Sequence, residues 1–442
     1  MIGKIHKALA DRPVAKRIAR NVFWLGLERA SRLIIALVVA IFLARYLGPE
    51  KFGLLNLALA FVSIFATFAA FGMNGVVPKD LVKEPQQAGN ILGSSLLIGL
   101  TCAVISYIAL VTSAYLFNPE NPLLPYLVAV IGTSLLFKTT QIVNFWFESQ
   151  VDSKVIVWTE NAVILVASGF KVFLAVYQAP LIVLAAVIAS EAAVIALAAL
   201  VVYSRRAGSI FAWSATWSRV RLLAAQSWPL LLSSAAWILY TRIDQIMIGR
   251  MIGSEAVGYY TAATRLSDAT NILPGLLVVS IVPAITLMRE SSREQYLAKF
   301  QIVYDAVFGI SIAIAIVISL FSEAIIAIAF GDSYGASEFV LRIQAWSIVF
   351  ISMAVVSGRY LINEGRQVLT MYRHMAGVVL NAVLNYLLIG AYGIQGAAAA
   401  TLISLFVVNY LLDALHPDTR VCFVQKTKSF MFLGVLGAKA RS

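Results

Sequence analysis

Charge is scarce in this chain. Asp, Glu, Lys and Arg make up 13% of its 442 residues, against 60% hydrophobic. So little polar surface cannot cover a soluble protein of this size, which excludes a water-soluble globule. Cysteine and histidine are scarcer still. Cys102 and Cys422 stand far apart, and His6, His374 and His416 are scattered. Neither a disulfide framework nor a metal-ligand cluster is expected. The chain also lacks a Gly-rich phosphate loop, a nucleophile–base constellation and a nucleotide-binding domain. An ATP-driven pump is excluded, and no catalytic residue, metal or cofactor is expected. The strict alternation of an outer-membrane barrel is missing as well. So is a small-residue cleavage pattern behind the first apolar run, which reads as a retained helix.

What the chain has is apolar length. Its mean hydropathy is +0.86, and runs of about 20 residues, each enough to cross ~30 Å of hydrocarbon, recur throughout. Backbone polar groups in lipid must be satisfied internally, so such runs are helices. Twelve candidate spans lie near 21–46, 52–76, 90–116, 123–146, 155–177, 181–203, 227–249, 257–285, 300–320, 338–360, 369–390 and 394–412. The fold class is an all-α polytopic membrane protein.

Lysine and arginine set its orientation. They gather at the N-terminus (Lys4, Lys7, Arg12, Lys16, Arg17, Arg20) and in alternate loops, including Lys79, Lys83, Lys154, Arg205, Arg206, Arg289, Arg293, Arg366 and Arg373. The C-terminal segment adds Arg420, Lys426 and Lys428. The opposite side holds Arg45, Lys51 and Arg250. Both termini are therefore expected in the cytoplasm, and the net charge of +12 needs no nucleic-acid partner to explain it. The link at 204–226 carries Phe211, Trp213 and Trp217 beside Arg219 and Arg221, the pattern of an amphipathic helix in the cytoplasmic interface. The expected organisation is a six-helix bundle at 1–203, that linker at 204–226, a second bundle at 227–412 and a cytoplasmic tail at 413–442.

A repeat joins the two bundles. RYLGPEKFG (Arg45 to Gly53) and RMIGSEAVG (Arg250 to Gly258) align at an offset of 205, placing Arg45, Gly48, Glu50 and Gly53 on Arg250, Gly253, Glu255 and Gly258. The same offset puts Val77-Pro78 on Val282-Pro283. At an offset of 214, Ala185, Ala186 and Ser190 fall on Ala399, Ala400 and Ser404. The halves are read as tandem copies of six spans. Six is even, so both halves enter the membrane with one polarity and the repeat is parallel. Two such bundles flank a central cavity, the physical basis of alternating access. The motif's glycines serve a tight turn between long helices, a structural role.

RYLGPEKFG, TRIDQIMIGRMIGSEAVGYYTAATRLSD (Thr241 to Asp268) and LNAVLNYLLIGAYGIQGAAAATLIS (Leu380 to Ser404) resemble the prokaryotic polysaccharide-transporter branch of the multidrug/oligosaccharidyl-lipid/polysaccharide exporter superfamily, where Wzx-type oligosaccharide flippases belong. The resemblance runs from about Arg17 to Asp413. It implies a V-shaped pair of six-helix bundles around a central cavity in the bacterial cytoplasmic membrane. It implies transfer of an undecaprenyl-pyrophosphate-linked oligosaccharide, such as an O-antigen, capsule or exopolysaccharide repeat unit, to the outer leaflet. Membrane lipids would be its surroundings, and a polysaccharide polymerase with its chain-length machinery a further partner.

Charges within the spans are the candidate site, because an ionised group at mid-bilayer costs about 2.5–3.5 kcal/mol on insertion scales and usually faces a cavity or a partner. The basic set is Arg29, Arg32, Lys138, Lys171, Arg242, Arg265 and Arg342. Arg can hold phosphate bidentately and Lys as a point charge, so these are the candidate diphosphate and sugar contacts. Resemblance places spans one, two, seven and eight about the symmetry axis, which puts Arg29, Arg32, Arg242 and Arg265 first. Glu28, Asp244 and Asp268 are candidates for coupling to protons or sodium. Glu28 with Arg32 (i,i+4) and Arg265 with Asp268 (i,i+3) can also form structural pairs, as can Lys171 with Glu191 on the next span. Gln141, Asn144, Asn381 and Asn385 are read either as sugar contacts or as interhelical hydrogen bonds.

Two other functions compete. A drug or cation antiporter on the same fold should show a surplus of acidic cavity groups, which these spans lack. A membrane polysaccharide polymerase or ligase needs catalytic groups on substantial external loops. The longest here, about Ser322 to Ser337, offers Glu323, Asp332 and Glu338 at or near its edges.

Overall fold

A computed structural model describes residues 12–117, 122–271 and 292–430, together with 274, 275, 277, 278, 281 and 285; side chains are described from Ser31 onward. The side chains of Glu28 and Arg29, the Val282-Pro283 match and Arg289 lie outside the described residues.

The described residues are helical almost throughout and contain no strand. In chain order the helices are α1 (Arg12–Ala70), α2 (Val77–Lys83), α3 (Ala88–Phe117), α4 (Leu123–Ser149), α5 (Lys154–Val176), α6 (Leu181–Arg206) and α7 (Trp217–Met251). They continue with α8 (Ser254–Thr270), α9 (Arg293–Leu320), α10 (Ser322–Phe330), α11 (Ser337–Asn363), α12 (Gln367–Phe406) and α13 (Pro417–Ser429). Nine helices among the described residues are long and apolar enough to cross a bilayer. Two of those, Ser31–Ala70 within α1 and Gln367–Leu415 through α12 and the turn after it, run for 40 and 49 residues, about twice the length a span requires. Both are broken at a glycine, Gly48 (φ 74°) in α1 and Gly393 (φ 60°) in α12, so each carries two of the expected spans. Leu165, Val166, Leu197 and Val379 are 62–75% exposed. Such surfaces suit hydrocarbon and would be a liability in water. The chain is an all-α polytopic membrane protein.

It divides into two compact units, Met1–Tyr46 with Ala58–Ile238 and Leu47–Leu57 with Leu239–Ser442. In the first, Ile91, Val143, Phe147, Val157 and Leu223 form one buried core. In the second, Tyr296, Phe300, Tyr304, Met353, Tyr360 and Cys422 form another. The division differs from the expected boundary at two places. It falls inside α7, between Ile238 and Leu239, and it assigns the first repeat turn to the second unit.

The turn's own packing explains that assignment. A Cβ on Gly53 would overlap the carbonyl oxygen of Ser254, and a Cβ on Gly258 would overlap that of Pro49. At the 205-residue offset Gly53 corresponds to Gly258, and Pro49 to Ser254. The two contacts are therefore reciprocal, the mark of a local twofold. Gly48 and Gly253 both adopt positive φ, 74° and 128°. The two copies of the motif turn alike and clasp one another backbone to backbone.

Two further expectations are corrected. The linker is not an interfacial helix across 204–226. Residues 207–216 form a strap with one short turn, Ile210–Ala212, and α7 begins at Trp217. Trp213 stacks edge-on against Tyr203 and donates to its hydroxyl at 3.0 Å. Ser214 N donates to Gly89 O at 3.2 Å. Of the two tryptophans that suggested membrane contact, Trp213 is spent on this packing, while Trp217 and Phe211 stay 77% and 92% exposed. Nor are the described residues from 413 to 430 simply a tail. Thr419, Cys422, Gln425, Lys426 and Ser429 make a helical stripe buried in the second unit. Arg373 and Lys426, counted above as loop and tail charges, are buried.

Candidate functional site: two polar clusters within the spans

In the first unit, α4 is interrupted where polar side chains compete with its backbone. Thr139 and Thr140 bond back to the carbonyls of Leu136 and Phe137 at 2.7 and 2.8 Å, which tightens residues Thr139–Gln141 into a 3₁₀ turn. In that geometry residues three apart nearly eclipse, so Lys138 and Gln141 share one side. That side lines a cavity of about 360 Å³, completed by Thr67, Asn74, Phe145 and Ser234 among others. Lys138 has no ion-pair partner among the described residues. Glu191 lies within its electrostatic reach, and that carboxylate already accepts from Lys171 Nζ at 2.7 Å. Two lysines thus face one carboxylate, leaving a positive surplus at the cavity.

Arg32 is paired separately with Glu160. Asn144 donates to the same carboxylate at 2.7 Å, and Asn161 reaches Ser31 at 3.2 Å. Asn144 therefore serves as an interhelical bond.

In the second unit, α7 and α8 fold against each other at the turn of Gly253. Asp244 of α7 is 5% exposed. It accepts from the Tyr260 hydroxyl and from Gln245 N. Gln344 of α11 donates to Tyr260 at 3.0 Å, and Thr401 reaches the same hydroxyl. Asn381 donates to Thr401 at 3.3 Å, and Asn385 donates to Asn381 at 2.8 Å. One network thus links α7, α8, α11 and both limbs of α12. Beside it, Arg242 and Arg265 lie within electrostatic reach of each other and of Asp268. Arg265 donates to Asn56 at 3.1 Å, yet its Nε has no partner. Two guanidiniums thus lie near Asp268 and, through Arg242, near Asp244, whose carboxylate is also held by Tyr260.

The sequence profile described as "polysaccharide biosynthesis protein" matches residues 18–289, more than half of the chain. The chain belongs to that family. A second profile, MatE, matches residues 229–387 of this family member. A probable low-salt glycan biosynthesis flippase of Haloferax volcanii is 25% identical over 431 residues, covering 90% of the chain and 81% of the relative. Among solved structures, the lipid II flippase MurJ in an inward closed conformation superposes with a TM-score of 0.71 at 15% identity, covering 95% of the chain and 92% of MurJ. An inward-facing multidrug-resistance MATE transporter gives 0.68 at 14% identity, covering 91% and 95%. These likenesses carry the fold. Together with the family they make the chain a polysaccharide transporter of the superfamily named above, and not an enzyme.

Within this family frame the candidate residues separate. Lys138 and Lys171 gather at one cluster; Arg242, Arg265, Asp244 and Asp268 gather at the other. Arg342 joins neither: it is held by Glu338 and Ser322 and lies over the Phe339 ring. Sequence reasoning missed Tyr260, Gln344, Asn56 and Thr401. Tyr260 and Thr401 stand inside the quoted motifs, but a tyrosine or threonine on a small-residue helix face carries no charge to single it out.

Proposed function

We propose that this transporter flips a polyprenyl-diphosphate-linked oligosaccharide, undecaprenyl in a bacterial cytoplasmic membrane, from the cytoplasmic to the outer leaflet by alternating access, with both termini cytoplasmic. The observation that carries this reading is Lys138, a cation with no ion-pair partner among the described residues, lining a polar-edged cavity. A mid-bilayer cation costs about 2.5–3.5 kcal/mol unless water or an anion meets it. A diphosphate supplies that anion, and sugar hydroxyls suit Gln141, Asn74 and Thr67. The Arg242–Arg265 pair offers a second anion contact on another helix pair. Asp244, hydrogen-bonded to Tyr260, is the group through which protons or sodium would drive the cycle, and Asp268 would respond to the same cation.

In a strain lacking the gene, a lipid-linked glycan should accumulate on the cytoplasmic leaflet and surface polysaccharide should disappear. Wild-type chain should restore export. Asp244→Asn, which keeps the Tyr260 contact, should restore it only with altered proton or sodium dependence. The MatE match over 229–387 and the buried Asp244 favour a second reading, a cation or drug antiporter. That reading predicts changed drug sensitivity with glycans intact.

A further inference from the structure

Helix α13 is tied into the second unit by a knot of charges. Its start is well specified: His416 caps the backbone N–H of Asp418 at 3.2 Å, Pro417 takes the first helical position, and Lys426 and Lys428 sit in the last turn. Lys426 and Asp413 are fully buried, and Arg373 is 7% exposed. Lys426 Nζ donates to Asp413 Oδ2 at 2.8 Å, to Ser357 Oγ at 3.2 Å and to the carbonyl of Asn409 at 2.5 Å. All three of its donors are used. Arg373 pairs with the same Asp413, so that carboxylate already has a guanidinium to neutralise it. A second buried cation is unfavourable on charge alone. Charge balance alone therefore does not require Lys426, although its ammonium bonds to Asp413.

The Asn409 carbonyl gives a further reason for its position. Asn409 is the middle residue of a π-helical turn, Val407–Leu411, that continues α12. Such a turn holds one extra residue, which rotates the helix on one side of it by about 100° relative to an unbroken α-helix. One to two turns upstream lie Ser404 and Thr401, which meet Asn381 at 3.5 and 3.3 Å. Thr401 also reaches Tyr260, the partner of Asp244. The faces these residues present depend on the π turn.

We propose that Lys426 is a positioning residue: by holding the Asn409 carbonyl it maintains the π turn and so keeps Thr401 and Ser404 in register with the Asp244–Tyr260 network. The functional half of this inference rests on the coupling role given to Asp244 above; the structural half does not.

The test is Lys426→Met in the full chain, which leaves Arg373 and Asp413 as a balanced pair. Three quantities are read: thermal unfolding, amide exchange at 407–411, and transport of a polyprenyl-diphosphate oligosaccharide in proteoliposomes as pH and sodium are varied. The expected result is an unfolding temperature unchanged or raised. Exchange at 407–411 should be about tenfold faster, as loss of a charged hydrogen bond implies, and the ion dependence of transport should be shifted. Failure of the variant to accumulate in the membrane would mean that Lys426 serves the fold, and would overturn the proposal. So would unchanged exchange at 407–411, or slower transport with an unaltered ion dependence. If the wild-type chain moves no lipid-linked oligosaccharide, the transport reading fails by itself, and amide exchange alone decides whether Lys426 holds the turn.

Discussion

Replacing Lys138 by Met should move stability and ligand affinity in opposite directions. The ammonium has no ion-pair partner among the described residues, and the carboxylate within its electrostatic reach, Glu191, is committed to Lys171 at 2.7 Å. Removing it relieves a charge that costs about 2.5–3.5 kcal/mol at mid-bilayer, less whatever water in the 360 Å³ cavity returns. A net stabilisation of about 1–2 kcal/mol is expected. The ligand loses a charged hydrogen bond worth about 1.5–3 kcal/mol, a roughly 10- to 150-fold weaker dissociation constant. Thermal unfolding of detergent-purified protein gives the first quantity, and equilibrium binding of a polyprenyl diphosphate to protein in nanodiscs gives the second. Lys138→Arg should retain most of the affinity. Unchanged affinity in a stabilised Met variant would remove Lys138 from the diphosphate site. A destabilised Met variant would refute the physical premise, since it would mean that Lys138 has a structural partner worth more than its desolvation.

Gly53→Ala and Gly258→Ala should each cost about 1–3 kcal/mol in thermal unfolding, the usual range for overpacking. The two losses should be similar, because each methyl meets a carbonyl related by the repeat; a neutral result for either would show that the clasp yields freely. Where α7 begins, Arg219 donates to Glu84 and Gln87 at 2.5 Å each. The Arg219 hydrogen bond, opposed by a smaller desolvation and helped by its charge and that of Lys83, holds the Glu84 carboxyl below its ordinary range. A depressed carboxylate contributes stability above its unfolded pKa and loses it as pH falls through the folded one. Protection of amides near residues 217–222, after the intrinsic pH dependence of exchange is divided out, should therefore fall on acidification below the usual glutamate range, and Glu84→Gln should flatten that response.

Which parts of this arrangement could be read from the sequence follows from the solvent each side chain was assumed to have. Lys171 announces itself because its neighbours, Phe170 and Val172, are apolar, and a cation there must find a partner or a cavity. Glu191 on the next antiparallel span is within reach, and the pair forms at 2.7 Å. Lys426 gives no such signal. It follows Gln425 and precedes Thr427 and Lys428 in a polar segment, where a lysine is ordinarily solvated, yet it is fully buried. Its burial comes from Asp413 and from Ser357, which is 69 residues away, and no local periodicity encodes that. Trp213 fails in the opposite sense. An aromatic beside arginines suggests the membrane interface, and the ring is instead taken up by Tyr203. The repeat lies between these cases. Spacing alone matched Gly53 to Gly258, but identical letters in two turns do not show that the turns face each other. Only the reciprocal overlap with Ser254 and Pro49 turns that likeness into a physical requirement for glycine. Charges in apolar runs are thus legible because hydrocarbon forbids the alternatives, whereas polar stripes can be mistaken for surface until a partner distant in sequence is placed against them.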